Sequence, residues 1–130
     1  MIVIDTHIWY WWVHTPERLT QHQIDTLESR NIDIVGVSAI SCWEIAKRVQ
    51  YGRMRLSRPI GQWLELALRF PGVRLLPLTP EIAVASTQLP GTFHKDPADQ
   101  IIVATARVCD CPLVTSDGKI LDYSHVQTIA

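Results

Sequence analysis

Three cysteines, Cys42, Cys109 and Cys111, are too few and too odd in number for a disulfide framework. Cys109 and Cys111 stand two apart with no second Cys or His pair at ligand spacing, which favours buried thiols over a zinc site. No stretch approaches the roughly 20 apolar residues of a membrane helix, because polar residues, Pro or Gly interrupt every hydrophobic run. The chain runs straight into Met1-Ile2-Val3-Ile4-Asp5 without the basic region and cleavage site of a secretory signal, so a cytoplasmic protein without membrane association is expected. Excess charge is missing too. Lys and Arg number 12 against 13 Asp and Glu, a net of −1, so any polyanion must be held by local rather than overall charge. Internal repeats, linkers and low-complexity segments are also absent.

What remains is 47% hydrophobic and 19% charged, near the average of globular domains. Its length suits a single domain over residues 1–130. Short β-branched runs alternate with helix-period segments. Strands are predicted at 2–4, 34–37, 73–78, 112–115 and 126–129. Helices are predicted at 7–13, about 20–30, 39–51 (stopped by Gly52), 59 to about 70, 80–89 and 97–109, with a helical turn at 118–123. Residues 90–95 read as a loop. This order predicts an α/β fold, a parallel sheet sandwiched between helices.

Ligands in such sheets bind beyond the carboxyl ends of the strands. Asp5 directly follows the first predicted strand and Asp117 stands two residues after Thr115, the end of the fourth, while Glu44 and the Asp96-Pro97-Ala98-Asp99 run stand at helix beginnings. Each has an ordinary explanation as a helix cap or dipole partner, and Ser41 with Glu44 fits a capping box. Capping does not account for the ensemble. Carboxylates that converge in one cleft repel and resist ionisation, and a hard divalent cation shared with a substrate phosphate resolves that conflict.

Four blocks carry a resemblance: Val3-Ile4-Asp5-Thr6-His7; Ser38-Ala39-Ile40-Ser41-Cys42-Trp43-Glu44-Ile45; His94-Lys95-Asp96-Pro97-Ala98-Asp99-Gln100; and Leu113-Val114-Thr115-Ser116-Asp117. In this order they resemble the signature blocks of PIN-domain ribonucleases, most closely the VapC-type toxins of bacterial toxin–antitoxin pairs, nearly end to end. The resemblance implies a three-layer α/β/α sandwich and a catalytic, metal-holding quartet of Asp5, Glu44, Asp99 and Asp117. It implies Mg²⁺, or Mn²⁺, and a metal-activated water that cuts RNA phosphodiesters. Asp5 and Asp99 are then the expected direct ligands, and Asp96 a supporting group or helix cap. Thr6, Thr115 and Ser116 are expected to hydrogen-bond the carboxylates. A cognate antitoxin and a second copy of the chain are the implied protein partners. Gln100 departs from the Arg that often follows the third acidic residue in this branch, which affects substrate contacts rather than the metal site.

Between Glu44 and Glu65 the charges are all basic: Lys47, Arg48, Arg53, Arg55 and Arg58, a candidate phosphate track for RNA with a solvated helix face as the plainer reading. Trp9-Tyr10-Trp11-Trp12 cannot all turn to one helix face, so exposed aromatic surface is expected there for a partner or an RNA base. His7 and His94 flank acidic positions, where structural hydrogen bonding is the expected role. An aspartyl phosphatase would want a second Asp where His7 stands, and a receiver domain a mid-chain strand-end Asp that is missing. The rival of a different class is a catalytically silent PIN-like module that binds RNA or protein.

Overall fold

Three successive apolar residues suit a strand covered on both faces. In the computed structural model, which describes residues 1–130, Ile2–Ile4 (β1) is the middle strand of a five-stranded sheet. β2 (Val35–Ser38) and β4 (Leu113–Val114) flank it, with β3 (Val73–Leu76) outside β2 and β5 (Thr128–Ile129) outside β4. Every pairing is parallel. Side chains alternate across a strand, so Ile2 and Ile4 enter one core and Val3 the other.

The first core is completed by Ile8 and Trp9 of α1 (Thr6–His14), Leu27 of α2 (Gln21–Leu27), Ile45 of α3 (Ala39–Gln50), and Trp63 and Ala67 of α4 (Ile60–Ala67). The second takes Ile102, Val103 and Ala106 of α6 (Pro97–Val108) and Ile120 of α7 (Gly118–Leu121). α5 (Pro80–Thr87) packs against α6. The result is the expected three-layer α/β/α sandwich.

The predicted elements are present, most of them trimmed. α2 stops at Leu27, its last buried residue, rather than near residue 30, because Ser29 accepts from the Asn31 N–H (3.2 Å) and turns the chain. A 3-10 turn, Pro16–Arg18, precedes α2. The aromatic run of α1 differs from expectation, for none of its four side chains is exposed. Trp9 is fully buried, edge-on to Trp63 at 5.5 Å. Tyr10, Trp11 and Trp12 are half-buried on the same core. Neighbours cover more than one face of α1: Trp12 stacks on Phe70, and the Tyr10 hydroxyl donates to the Arg55 carbonyl (2.8 Å).

After β3 the chain returns to lay β4 on the other side of β1, so strand order reverses between β1 and β4. In open α/β sheets this switch point opens the crevice where ligands bind. Ile4 pairs with Val114 and with Val37, which places Asp5, Thr115 and Ser38 side by side at the carboxyl edge.

Candidate active site

Asp5 caps α1. Its Oδ1 accepts from the Thr6 N–H and its Oδ2 from the Thr115 hydroxyl, both at 2.7 Å. Thr115 Oγ1 in turn accepts from the Asp117 N–H at 3.0 Å, so one hydroxyl ties the ends of β1 and β4 together. Asp117 caps α7, accepting from the Lys119 and Ile120 N–H groups. Ser116 plays no part in this: its Oγ accepts from Gln23 Nε2 (2.7 Å), and Gln23 also completes the capping box of α2 with Thr20.

The capping box at Ser41 does not form, because α3 begins three residues earlier with Ser38 as its cap. Glu44 therefore stands in the second turn, and its Oε1 accepts from the Thr6 hydroxyl at 2.6 Å. Ser41 Oγ lies 2.8 Å from the same hydroxyl, and the Arg48 guanidinium 3.8 Å from the other Glu44 oxygen. Asp96 caps α6 by accepting from the Asp99 N–H (3.1 Å), with Pro97 at the first helical position. The four helices that begin at this edge are thus capped by Asp5, Ser38, Asp96 and Asp117.

Of the two expected direct ligands, Asp99 belongs to a close cluster of three carboxylates. Carboxylate oxygens of Glu44, Asp96 and Asp99 lie within 4.8 Å of one another, a spacing that can hold a metal ion. Asp96 thus joins this cluster, whereas Asp5 has both oxygens engaged by hydroxyl and amide donors. Asp5 and Asp117 still act on the cluster. Burial, then the negative charges of Asp5, Asp96, Asp117 and Glu44, push the Asp99 carboxyl up to about 7. Burial likewise raises Asp5 and Glu44 above the usual carboxylate range, against the lowering effect of the Thr115 and Thr6 hydrogen bonds.

His94 Nδ1 accepts from the Asp96 N–H over a long 3.4 Å, and the other ring nitrogen, Nε2, faces Asp99. That atom is buried 3.0 Å from Asp99 Oδ2, though off the line of a good hydrogen bond. Gln100 Nε2 donates to the His94 carbonyl (3.0 Å), so the residue that departs from the family pattern pins the 90–95 loop to α6. His7 is half-buried against Trp11, and burial and the Arg48 charge hold its pKa below the usual imidazole range.

His94, Asp96, Asp99, Asp117, Lys119 and Asp122 line an open cleft of about 530 Å³. Lys119 and Asp122 escaped the sequence reading; the only signal was the turn predicted at 118–123. The basic run divides. Lys47, Arg48 and Arg53 border a groove that includes Glu44, whereas Arg58 lines a separate one between α1 and α4 with Trp63 and Phe70. Arg55 lies in neither lining.

The switch-point crevice holds carboxylates at the edge of a five-stranded parallel sheet, and the chain belongs to the PIN-domain family: residues 2–126 match the PIN domain. Among its relatives, Ribonuclease VapC22 of Mycobacterium tuberculosis is 33% identical over 128 residues, which are 98% of this chain and 95% of that protein. The VapBC2 structure of Rickettsia felis, bound to a promoter DNA fragment, superposes with a TM-score of 0.72 at 14% identity, over 99% of this chain and 98% of that one. A toxin–antitoxin complex from Klebsiella pneumoniae gives 0.68 at 18% identity, over 100% and 97%. At these identities the solved structures speak for the fold alone.

Proposed function

We propose that this chain is a Mg²⁺-dependent endoribonuclease of the cytoplasm, with Mn²⁺ as a substitute, and the toxin of a toxin–antitoxin pair. The observation that carries this reading is the approach of Glu44, Asp96 and Asp99 oxygens to within 4.8 Å. It is supported by the 33% identity to a protein named a ribonuclease. The donor set fits the cation, for hard carboxylate oxygens suit Mg²⁺, and the burial and mutual repulsion that raise the Asp99 carboxyl are costs a bound cation would offset.

Asp5, Glu44, Asp99 and Asp117 would hold the cation directly or through water, with Asp96 beside them. When bound, such an ion supplies water activation at neutral pH and charge stabilisation at a phosphate. The protein's share is positioning. Thr115 and the Thr6 amide lock the Asp5 carboxylate in one orientation, and the Thr6 hydroxyl fixes Glu44. Asp99, with its Oδ2 3.0 Å from His94 Nε2, would ionise to hold the cation, whose charge favours the carboxylate form.

The similar fold of a toxin–antitoxin complex supports a cognate antitoxin as partner. Exposed Leu75, Leu78 and Val84 offer apolar surface to a second copy. The test compares wild type with Asp5→Ala and Asp99→Ala on labelled structured RNAs, in Mg²⁺, Mn²⁺ and chelator, with circular dichroism to confirm folding. The expected result is cleavage that needs metal and falls at least about a hundredfold in both folded variants. Binding without cleavage by the wild type under every metal would replace this reading with that of a silent RNA-binding module.

A further inference from the structure

Two of the chain's large exposed hydrophobic side chains, Trp43 (51% exposed) and Tyr51 (65%), stand on and at the C-terminal cap of α3, the helix that supplies Glu44. With Lys47 between them they form an i, i+4, i+8 ridge, which puts them on one face of α3 about 12 Å apart along its axis. The Lys47 ammonium lies over both rings, 5.9 Å from the Trp43 centroid and 5.6 Å from that of Tyr51. Its hydrogen bond to Gln50 Oε1 (3.2 Å) helps to hold it there. Below the ridge runs a groove of about 430 Å³ lined by Trp43, Glu44, Lys47, Arg48, Tyr51 and Arg53.

The end of α3 is built to keep Arg53 in that lining. Gly52 takes a left-handed φ of 70°, its N–H bonds to the Val49 carbonyl and the Arg53 N–H to that of Arg48, which folds the chain back over the last turn. A residue with a Cβ would be strained at that φ.

We infer that this ridge and groove are a base-stacking subsite for single-stranded RNA on its way to the carboxylate cleft, an inference that rests on the ribonuclease reading. Three cations for phosphates and two aromatic rings for bases are the two elements of single-strand recognition. The location is the stronger argument. Glu44 belongs both to this groove and to the acidic cluster, so a strand whose backbone follows Arg53, Lys47 and Arg48 is delivered to the carboxylates. The ridge is exposed, and apart from Glu44 every charge in the groove lining is positive, which matches a polyanion better than an apolar partner helix.

The test measures binding of a short labelled oligoadenylate, and of an abasic strand of equal length, by fluorescence anisotropy in chelator. Trp43→Ala and Tyr51→Ala are each expected to weaken oligoadenylate binding about five- to a hundredfold and to leave the abasic strand unaffected. Trp43→Phe should keep most of the affinity, and Lys47→Ala should weaken both strands. Because both aromatic side chains are exposed, melting temperatures should stay at the wild-type value. The inference is overturned by equal affinities of Trp43→Ala and wild type, by equal losses on both strands, or by a wild type that binds neither. It is also overturned if Trp43→Ala keeps its RNA affinity but turns a dimer into a monomer, which would assign the ridge to a second copy. Binding in chelator is read independently of cleavage, so failure of the nuclease reading and failure of the stacking subsite are separate results.

Discussion

Asp99 is a half-buried carboxylate at which burial and neighbouring charge act together. Burial and four neighbouring carboxylates raise its carboxyl from 3.8 to about 7. Between those values the folded protein keeps a proton that the unfolded chain has lost, so stability falls as pH rises through that window. Solvent screening of a partly exposed group reduces the effect to about 1–2 kcal/mol. Wild type in chelator should therefore melt several degrees lower at pH 8 than at pH 5. Asp99→Asn should remove part of that slope and melt higher than wild type at pH 8, while the raised Asp5 and Glu44 carboxyls retain the remainder. Adding Mg²⁺ at pH 8 should stabilise wild type and do little for the variant. Calorimetry across pH with and without cation checks all three, and a variant with the wild-type slope would show that the repulsion lies elsewhere.

Among the elements, capping and site-building are one act. Asp5, Asp96 and Asp117 each hold the first turn of a helix; Asp96 and Asp117 also line the cleft, and the charge of the buried Asp5 acts on Asp99 within it. The two roles separate by substitution. Asn caps as well as Asp but carries no charge. Asp96→Asn should therefore keep the protein's stability while weakening its Mn²⁺ affinity, measured by calorimetric titration. Asp96→Ala should lose Mn²⁺ affinity together with about 1 kcal/mol in urea denaturation. Both signals were legible in the chain, since an Asp before a helical pattern announces a cap and an Asp after a buried strand announces a switch-point ligand. The start of α3 was not, because Ser38 and Ser41 are both acceptable caps and three residues decide whether Glu44 turns back to the backbone or meets Thr6. Distant pairings such as Gln23 with Ser116 leave no local pattern at all. The shielding of Trp11 and Trp12 was equally hidden, for it depends on Arg18 of the 3-10 turn and on Phe70 just beyond α4, whose approach to α1 only the assembled fold defines.

Across the whole molecule a net charge of −1 conceals a division into an acidic cleft and a basic flank, joined by Glu44, which lines the flank and lies within 4.8 Å of the cleft carboxylates Asp96 and Asp99. A polyanion cannot enter the cleft while its carboxylates are bare, so the flank must capture the strand and a cation must neutralise the cleft before the backbone can approach. Capture by the flank is a counterion-release process, and its salt dependence counts the phosphates neutralised, with a slope of about −0.7 per phosphate for a single strand. With Lys47, Arg48 and Arg53 engaged, the logarithm of the affinity should fall with log salt at a slope of about −2. Arg53→Ala should bring that slope closer to zero by about 0.7. Arg58→Ala should leave it unchanged, because Arg58 borders a different groove although it belongs to the same run of sequence. Equal effects of the two substitutions would mean that the strand follows the basic run around the molecule rather than the groove beside Glu44. Anisotropy titrations of one oligonucleotide over a range of KCl decide between these courses, since only the groove beside Glu44 brings the strand within reach of the carboxylates.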